Sequence, residues 1–281
     1  MKQIKMYRSQ GRTIIFLDET YIHAGHTTTK CWTDNSLKGL FSDIGKGKRL
    51  IIVHAGGDMG FIPNSLLIFK SGSTSGDYHA DMNGENFEKW LKEKLIPNLP
   101  PNSVIVTDNA SYHNVQVDRA PTSASRKSDM IEWLISKNIA FDPNSYRVEL
   151  YDIIKNNKKE HVKYKFDTLV KEHGHVLLRL PPYHPDLNPI EKIWSSVKRH
   201  VAKYNTSFKL DAVKMLAEVE FENEEKYSAL WKTMCEHVVH NEDNYLANER
   251  WMEVKVPELI INVGDNSTTD SSDFEFDLDD L

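Results

Sequence analysis

The segment from Leu180 to Trp194 restricts the fold more than any other part of this chain. Val176, Leu177, Leu178 and Leu180 lead into it as a short apolar run of the kind that forms a buried strand. Pro181, Pro182 and Pro185 then forbid helix and hold the backbone extended. Asn188 suits an N-cap, Pro189 suits the first helical position, and Glu191 falls three residues after the cap. The helix that follows places Ile190, Ile193, Trp194, Val197 and Val201 on one stripe. Glu191 lies about 100° around the axis from Ile190, at the edge of that stripe. Its carboxylate is therefore fixed in position without being buried in apolar packing. Spacing alone favours a capping-box glutamate bonded to the Asn188 amide. A carboxylate held out for chemistry is the other reading.

Two further acids bear on that choice. Asp18 closes the apolar run of residues 13–17, and Asp108 closes that of residues 103–107. Each run is apolar on both faces, as in a sheet covered on both sides. Each aspartate is expected at the C-terminal end of its strand, and parallel neighbours would set the two carboxylates side by side. A helical pattern opening at Asn83, with Phe87, Trp90, Leu91 and Leu95 on one face, lies between the runs and supplies the crossover. Adjacent anions repel and persist where a cation is bound. Three carboxylates without a Cys/His cluster suit an oxygen-seeking ion, magnesium or manganese.

Leu17-Asp18-Glu19-Thr20, the segment from Thr107-Asp108-Asn109 to His113, and the segment from Pro181 to Trp194 resemble the three catalytic blocks of the DDE transposases. The resemblance is closest to the mariner superfamily and related bacterial insertion-sequence transposases, and spans residues 13–204. It implies an α/β fold, an RNase H-like mixed sheet flanked by helices; the helical insertion before the third block is read from the residues themselves and departs from the family pattern. It implies metal-dependent cutting and joining of DNA phosphodiesters, with Asp18, Asp108 and Glu191 as catalytic residues and ligands of two Mg2+ or Mn2+ ions. DNA is the expected partner, a homodimer is a compatible assembly, and the expected location is the nucleus or cytoplasm. Mariner-like enzymes carry helix-turn-helix domains ahead of the catalytic domain. Only about a dozen residues precede the first strand here. The expectation is a fragment, a host-adopted derivative, or a subunit that borrows its DNA specificity. The alternative function is a catalytically silent nucleic-acid-binding or regulatory protein derived from a transposase.

Between Asp108 and Glu191 lie 82 residues, many more than in the mariner relatives. Helical patterns at residues 128–137, 148–158 and 164–173 fill this excess. The organisation expected is a catalytic domain over 1–207 with a helical insert at about 121–174, packed C-terminal helices over 208–263, and a disordered tail over 264–281. Lys155, Lys158, Lys159, Lys163 and Lys165 in the insert read as a solvated helical face or as DNA-phosphate contacts. His113 and His184 lie near the motif acids, as structural histidines or as groups that position a nucleophile or phosphate. The net charge of −6 becomes +1 without the seven acids from Asp265 onward, so the overall sign says little about partners. Phe274, Phe276 and Leu278 alternate with acids in that tail, as in segments that bind a protein partner while disordered.

Early strands are expected at residues 27–32, 49–54 and 65–69, in an antiparallel meander with a basic turn at Gly45-Lys46-Gly47-Lys48. Hydrophobic content of 40% and charged content of 27% are ordinary for a globular chain. No apolar run is long enough for a bilayer, and residues 1–6 lack the apolar segment of a signal peptide, so a membrane location and secretion are not expected. Cys31 and Cys235 read as free thiols.

Overall fold

A computed structural model describes residues 1–28, 48–72 and 81–255, with side chains through residue 248. The elements run α1 (Lys2–Ser9), β1 (Ile14–His23), β2 (Arg49–Gly57), β3 (Gly60–Phe61), β4 (Leu67–Lys70), α2 (Gly84–Trp90) and β5 (Val104–Thr107). They continue as α3 (Lys127–Ser136), α4 (Arg147–Asn157), α5 (Lys165–Glu172), β6 (Val176–Arg179), α6 (Ile190–Tyr204), α7 (Leu210–Phe221) and α8 (Glu224–Lys255). The strands order as β3-β2-β1-β5-β6, with β4 also on β2. β1 is antiparallel to β2, whereas β5 is parallel to β1 and β6 is parallel to β5. An antiparallel first half followed by parallel strands reached through helical crossovers is the RNase H-like arrangement.

The two-residue period of a strand divides β1 between two cores. Ile14, Phe16 and Ile22 face Ile193, Trp194 and Val197 of α6, with α7 and α8 behind. Ile15 and Leu17 face Phe87 and Trp90 of α2 and Phe166 and Val170 of α5. Asn83 caps α2 as its sequence suggests, its side-chain oxygen accepting from the Glu85 and Asn86 amides at 3.0 and 2.9 Å. The inserted chain forms a third core, with Met130, Trp133 and Leu134 of α3 against Leu150 and Ile154 of α4. An antiparallel bridge between Gln116 and Tyr164 closes the base of this lobe. The last helix of the excess, α5, leaves the lobe and packs on the sheet through Phe166 and Val170.

Several expectations shift. Asp18 does not end its strand: β1 runs on to His23, because residues through His23 keep a partner on β2. β2 extends to Gly57, and the edge strand is Leu67–Lys70. Thr27 and Thr28 are not in a strand; the rest of the segment expected at 27–32, Cys31, Gly45 to Gly47 and the acidic tail lie outside the described residues. Among the described residues no helix is long and apolar enough to cross a membrane. Cys235 is a free, half-buried thiol, and burial first, then nearby acids, push its pKa up to about 12.

α8 lies across the sheet through Trp231, which is fully buried. Gly56 makes that approach possible. A Cβ there would sit 2.5 Å from the Trp231 ring and 2.7 Å from the Gly60 carbonyl oxygen. Gly56→Ala is expected to destabilise the fold by about 1–3 kcal/mol through overpacking. A urea melt with an unshifted midpoint would show that α8 does not bear on the sheet as described.

Candidate active site

Pairing sets the two aspartates level. Phe16 of β1 lies opposite Val106 of β5, so two residues further along each chain come Asp18 and Asp108. β5 ends at Thr107 while β1 continues beside β2, with Asp18 opposite His54. Asp18 thus stands where β1 loses its parallel neighbour, on the α6 side of the sheet. It is 8% exposed, and the Trp194 indole N–H donates to its Oδ2 at 3.2 Å.

Glu191 sits in the first turn of α6. The capping box is not formed. Pro185–Leu187 make a tight helical turn whose Pro185 carbonyl takes the Asn188 amide N–H at 3.1 Å, so that donor is no longer open to Glu191. The N-cap is Pro189, one residue later than the sequence suggests, and the buried Asn188 Oδ1 has no hydrogen-bond partner among the described residues. Asp18, Asp108, Glu191 and Asn188 line one cavity of about 440 Å³. Leu180, Pro181, Pro182 and Pro185 form its apolar wall.

Burial, then the neighbouring charges of Glu19, Glu191 and Asp108, hold the Asp18 carboxyl well above the usual carboxylate range. Lys198, two turns beyond Glu191 on the same helix, feels the same acids. Burial lowers its pKa, and Glu191 and Asp18 oppose that. Among the described residues no three His, Cys, Asp or Glu side chains are already drawn together as a metal cluster. The donor chemistry nevertheless fits a hard divalent cation. Three carboxylates share the cavity, their repulsion raises the Asp18 pKa, and the Asn188 amide oxygen beside them is unpaired among the described residues. Asp18, Asp108 and Glu191 are the residues that could hold it.

Asp108 is anchored from behind. His113 Nδ1 lies 2.8 Å from Asp108 Oδ1, and Nε2 lies 3.3 Å from Glu19 Oε1. Glu19 follows Asp18 on β1, so it points to the opposite face of the sheet, where its side chain is 3% exposed. Burial opposes a charge on His113, but the bonds to Asp108 and Glu19 outweigh it and raise its pKa to about 9. Burial pushes the Asp108 pKa up and its bond and charge contact with His113 pull it down, for a net lowering. Phe87 packs on the imidazole at 4.3 Å between ring centres, and burial followed by Glu19 raises the Tyr112 hydroxyl far above its ordinary pKa. Sequence reasoning missed Glu19 and Lys198. The period of a strand and the seven-residue return of a helix were the available signals.

Asp186, five residues before Glu191, is turned to α8: Tyr245 donates its hydroxyl to Asp186 Oδ2 at 2.9 Å. His184 Nδ1 lies 3.2 Å from the same hydroxyl, and His184 lines the acid cavity. Of the lysine run, Lys165 pairs with Glu88 at 2.6 Å; Lys155, Lys159 and Lys163 stand exposed on the inserted lobe.

Residues 70–214 match the family described as DDE superfamily endonuclease. No curated protein matches the sequence. Among solved structures, the chain is similar to the Mos1 strand transfer complex at 16% identity and a TM-score of 0.48, covering 85% of this chain and 57% of that one. It is similar to the Mos1 transposase paired-end complex with left transposon end at 16% identity and a TM-score of 0.49, covering 84% and 57%. The catalytic domain of Mos1 mariner transposase gives 13% identity and a TM-score of 0.40, covering 84% and 85%. The chain thus spans 57% of the length of the transposase chains in those two complexes.

Proposed function

From a chain that belongs to the DDE superfamily endonuclease family, we propose a metal-dependent DNA-cutting and strand-joining catalytic domain in which Asp18, Asp108 and Glu191 hold the metal. The observation that carries this reading is the register of β1 and β5, which levels Asp18 with Asp108 across a cavity also lined by Glu191. Bound Mg2+ or Mn2+ would supply charge neutralisation at the phosphodiester and activation of an attacking water or 3′-hydroxyl. The protein's share is to hold oxygens in place. Trp194 orients Asp18, His113 orients Asp108, and the first turn of α6 presents Glu191 to the cavity. Lys198 contributes positive charge on the same helix face. The apolar wall of Leu180, Pro181 and Pro182 limits water on one side of the phosphate.

The test is nicking of supercoiled DNA with Mg2+ or Mn2+, wild type against Asp108→Ala. We expect metal-dependent nicking by the wild type and loss of it in the variant. Equal nicking by both would assign the cleavage to a contaminant and leave the catalytically silent nucleic-acid-binding reading in its place.

A further inference from the structure

We propose that Tyr183 is a stacking platform for an unpaired base next to the scissile phosphate. This inference rests on the DNA-cutting reading above. Tyr183 is 98% exposed, yet it lines the acid cavity. Its backbone sits at φ 65°, a left-handed conformation that L side chains other than asparagine rarely adopt. Such strain persists where the surroundings over-determine it. Here they do. Pro181 and Pro182 on one side and Pro185 on the other restrict the chain. The α8 helix holds the loop from behind, through Tyr245 to His184 and Asp186 and through Asn241 Nδ2 to the Asp186 carbonyl at 3.2 Å. The loop thus projects an aromatic ring that joins none of the cores formed by the described residues.

What the ring meets follows from the lining of the cavity. The lining combines carboxylates suited to a cation and, through it, a phosphate with a proline and leucine surface. A nucleotide has two matching parts, an anionic phosphate and a flat apolar base. The base of a nucleotide whose phosphate faces Asp18 and Asp108 then meets Tyr183, which lines the same cavity. Stacking is sequence-tolerant, because every base offers a π face.

The experiment uses the full chain with duplexes of mixed sequence that end in a short 3′ overhang carrying 2-aminopurine, in Ca2+ so that binding is read without turnover. Wild type is expected to quench the overhang fluorophore strongly and an internal, paired one weakly. Tyr183→Phe should keep the quench. Tyr183→Gly relieves the left-handed strain, so its melting temperature should not fall, yet it should lose the quench and bind the overhang roughly tenfold more weakly. A wild type that quenches overhang and internal positions alike, or a Tyr183→Gly protein with unchanged quench and affinity, overturns the proposal. If nicking is metal-dependent and Asp108-dependent while the quench is absent, only the stacking role fails. If both are absent, the DNA-cutting reading fails with it.

Discussion

Asp18→Asn is expected to abolish metal-dependent nicking, by about a thousandfold or more, while making the metal-free protein more stable. The two effects share one cause. Asp18 is buried, and its neighbours Glu19, Glu191 and Asp108 are all acids, so the fold works against its ionisation. An amide oxygen can still accept the Trp194 indole N–H, so packing is kept while the buried charge is removed. The folded-state pKa of Asp18 is raised above its unfolded value. Its contribution to stability is therefore greatest below the unfolded carboxylate pKa and declines as pH rises toward the folded value. Near neutral pH the wild type carries that cost and the variant does not. A gain of about 1 kcal/mol would lift the melting temperature by about 2–4 °C for a domain of this size. Added Mg2+ should then raise the melting temperature of the wild type and not that of the variant. A variant that melts lower than the wild type in EDTA, or one that still nicks, would remove Asp18 from the role given to it.

Glu19→Ala is expected to be among the most destabilising single changes on the sheet, at about 3–5 kcal/mol, because it strips a buried partner from a buried cation. The pair is Glu19 with His113, both almost fully enclosed. With a folded pKa of about 9 against an ordinary value of 6.5, His113 contributes stability that is fully present below about pH 6.5 and is lost as pH rises through 9. Its size is up to about 3 kcal/mol. Glu19→Gln keeps the shape and removes the charge, so it should flatten the fall in stability between those pH values. It should also reduce nicking, because Asp108 loses part of the support that orients it. Denaturation midpoints of wild type and Glu19→Gln that run parallel from pH 6 to 9 would contradict a charged His113 between the two acids.

The sequence by itself pointed to Asp18, Asp108 and Glu191, to the strand that carries the first, the strand that stops one residue before the second and the helix that carries the third. Those features are local: apolar runs of period two, a stripe of period 3.6, and prolines that stop one element before the next begins. The family resemblance was equally local, carried by short blocks around Asp18, Asp108 and Glu191. What only the tertiary structure decided are the pairings. The apolar run of β1 stops at Leu17, but the strand's length is set by β2, whose partners continue to His23. The Asn188 cap was a sound reading of propensity, and it lost to a tight turn that had already taken the Asn188 amide N–H. Glu19 sits in the same motif as Asp18, yet its meeting with His113, 94 residues away, depends on which face of the sheet it leaves and on what β5 brings beneath it. Contacts between residues distant in sequence carry no periodic trace along the chain, because they are fixed by strand register and helix packing after the elements have formed.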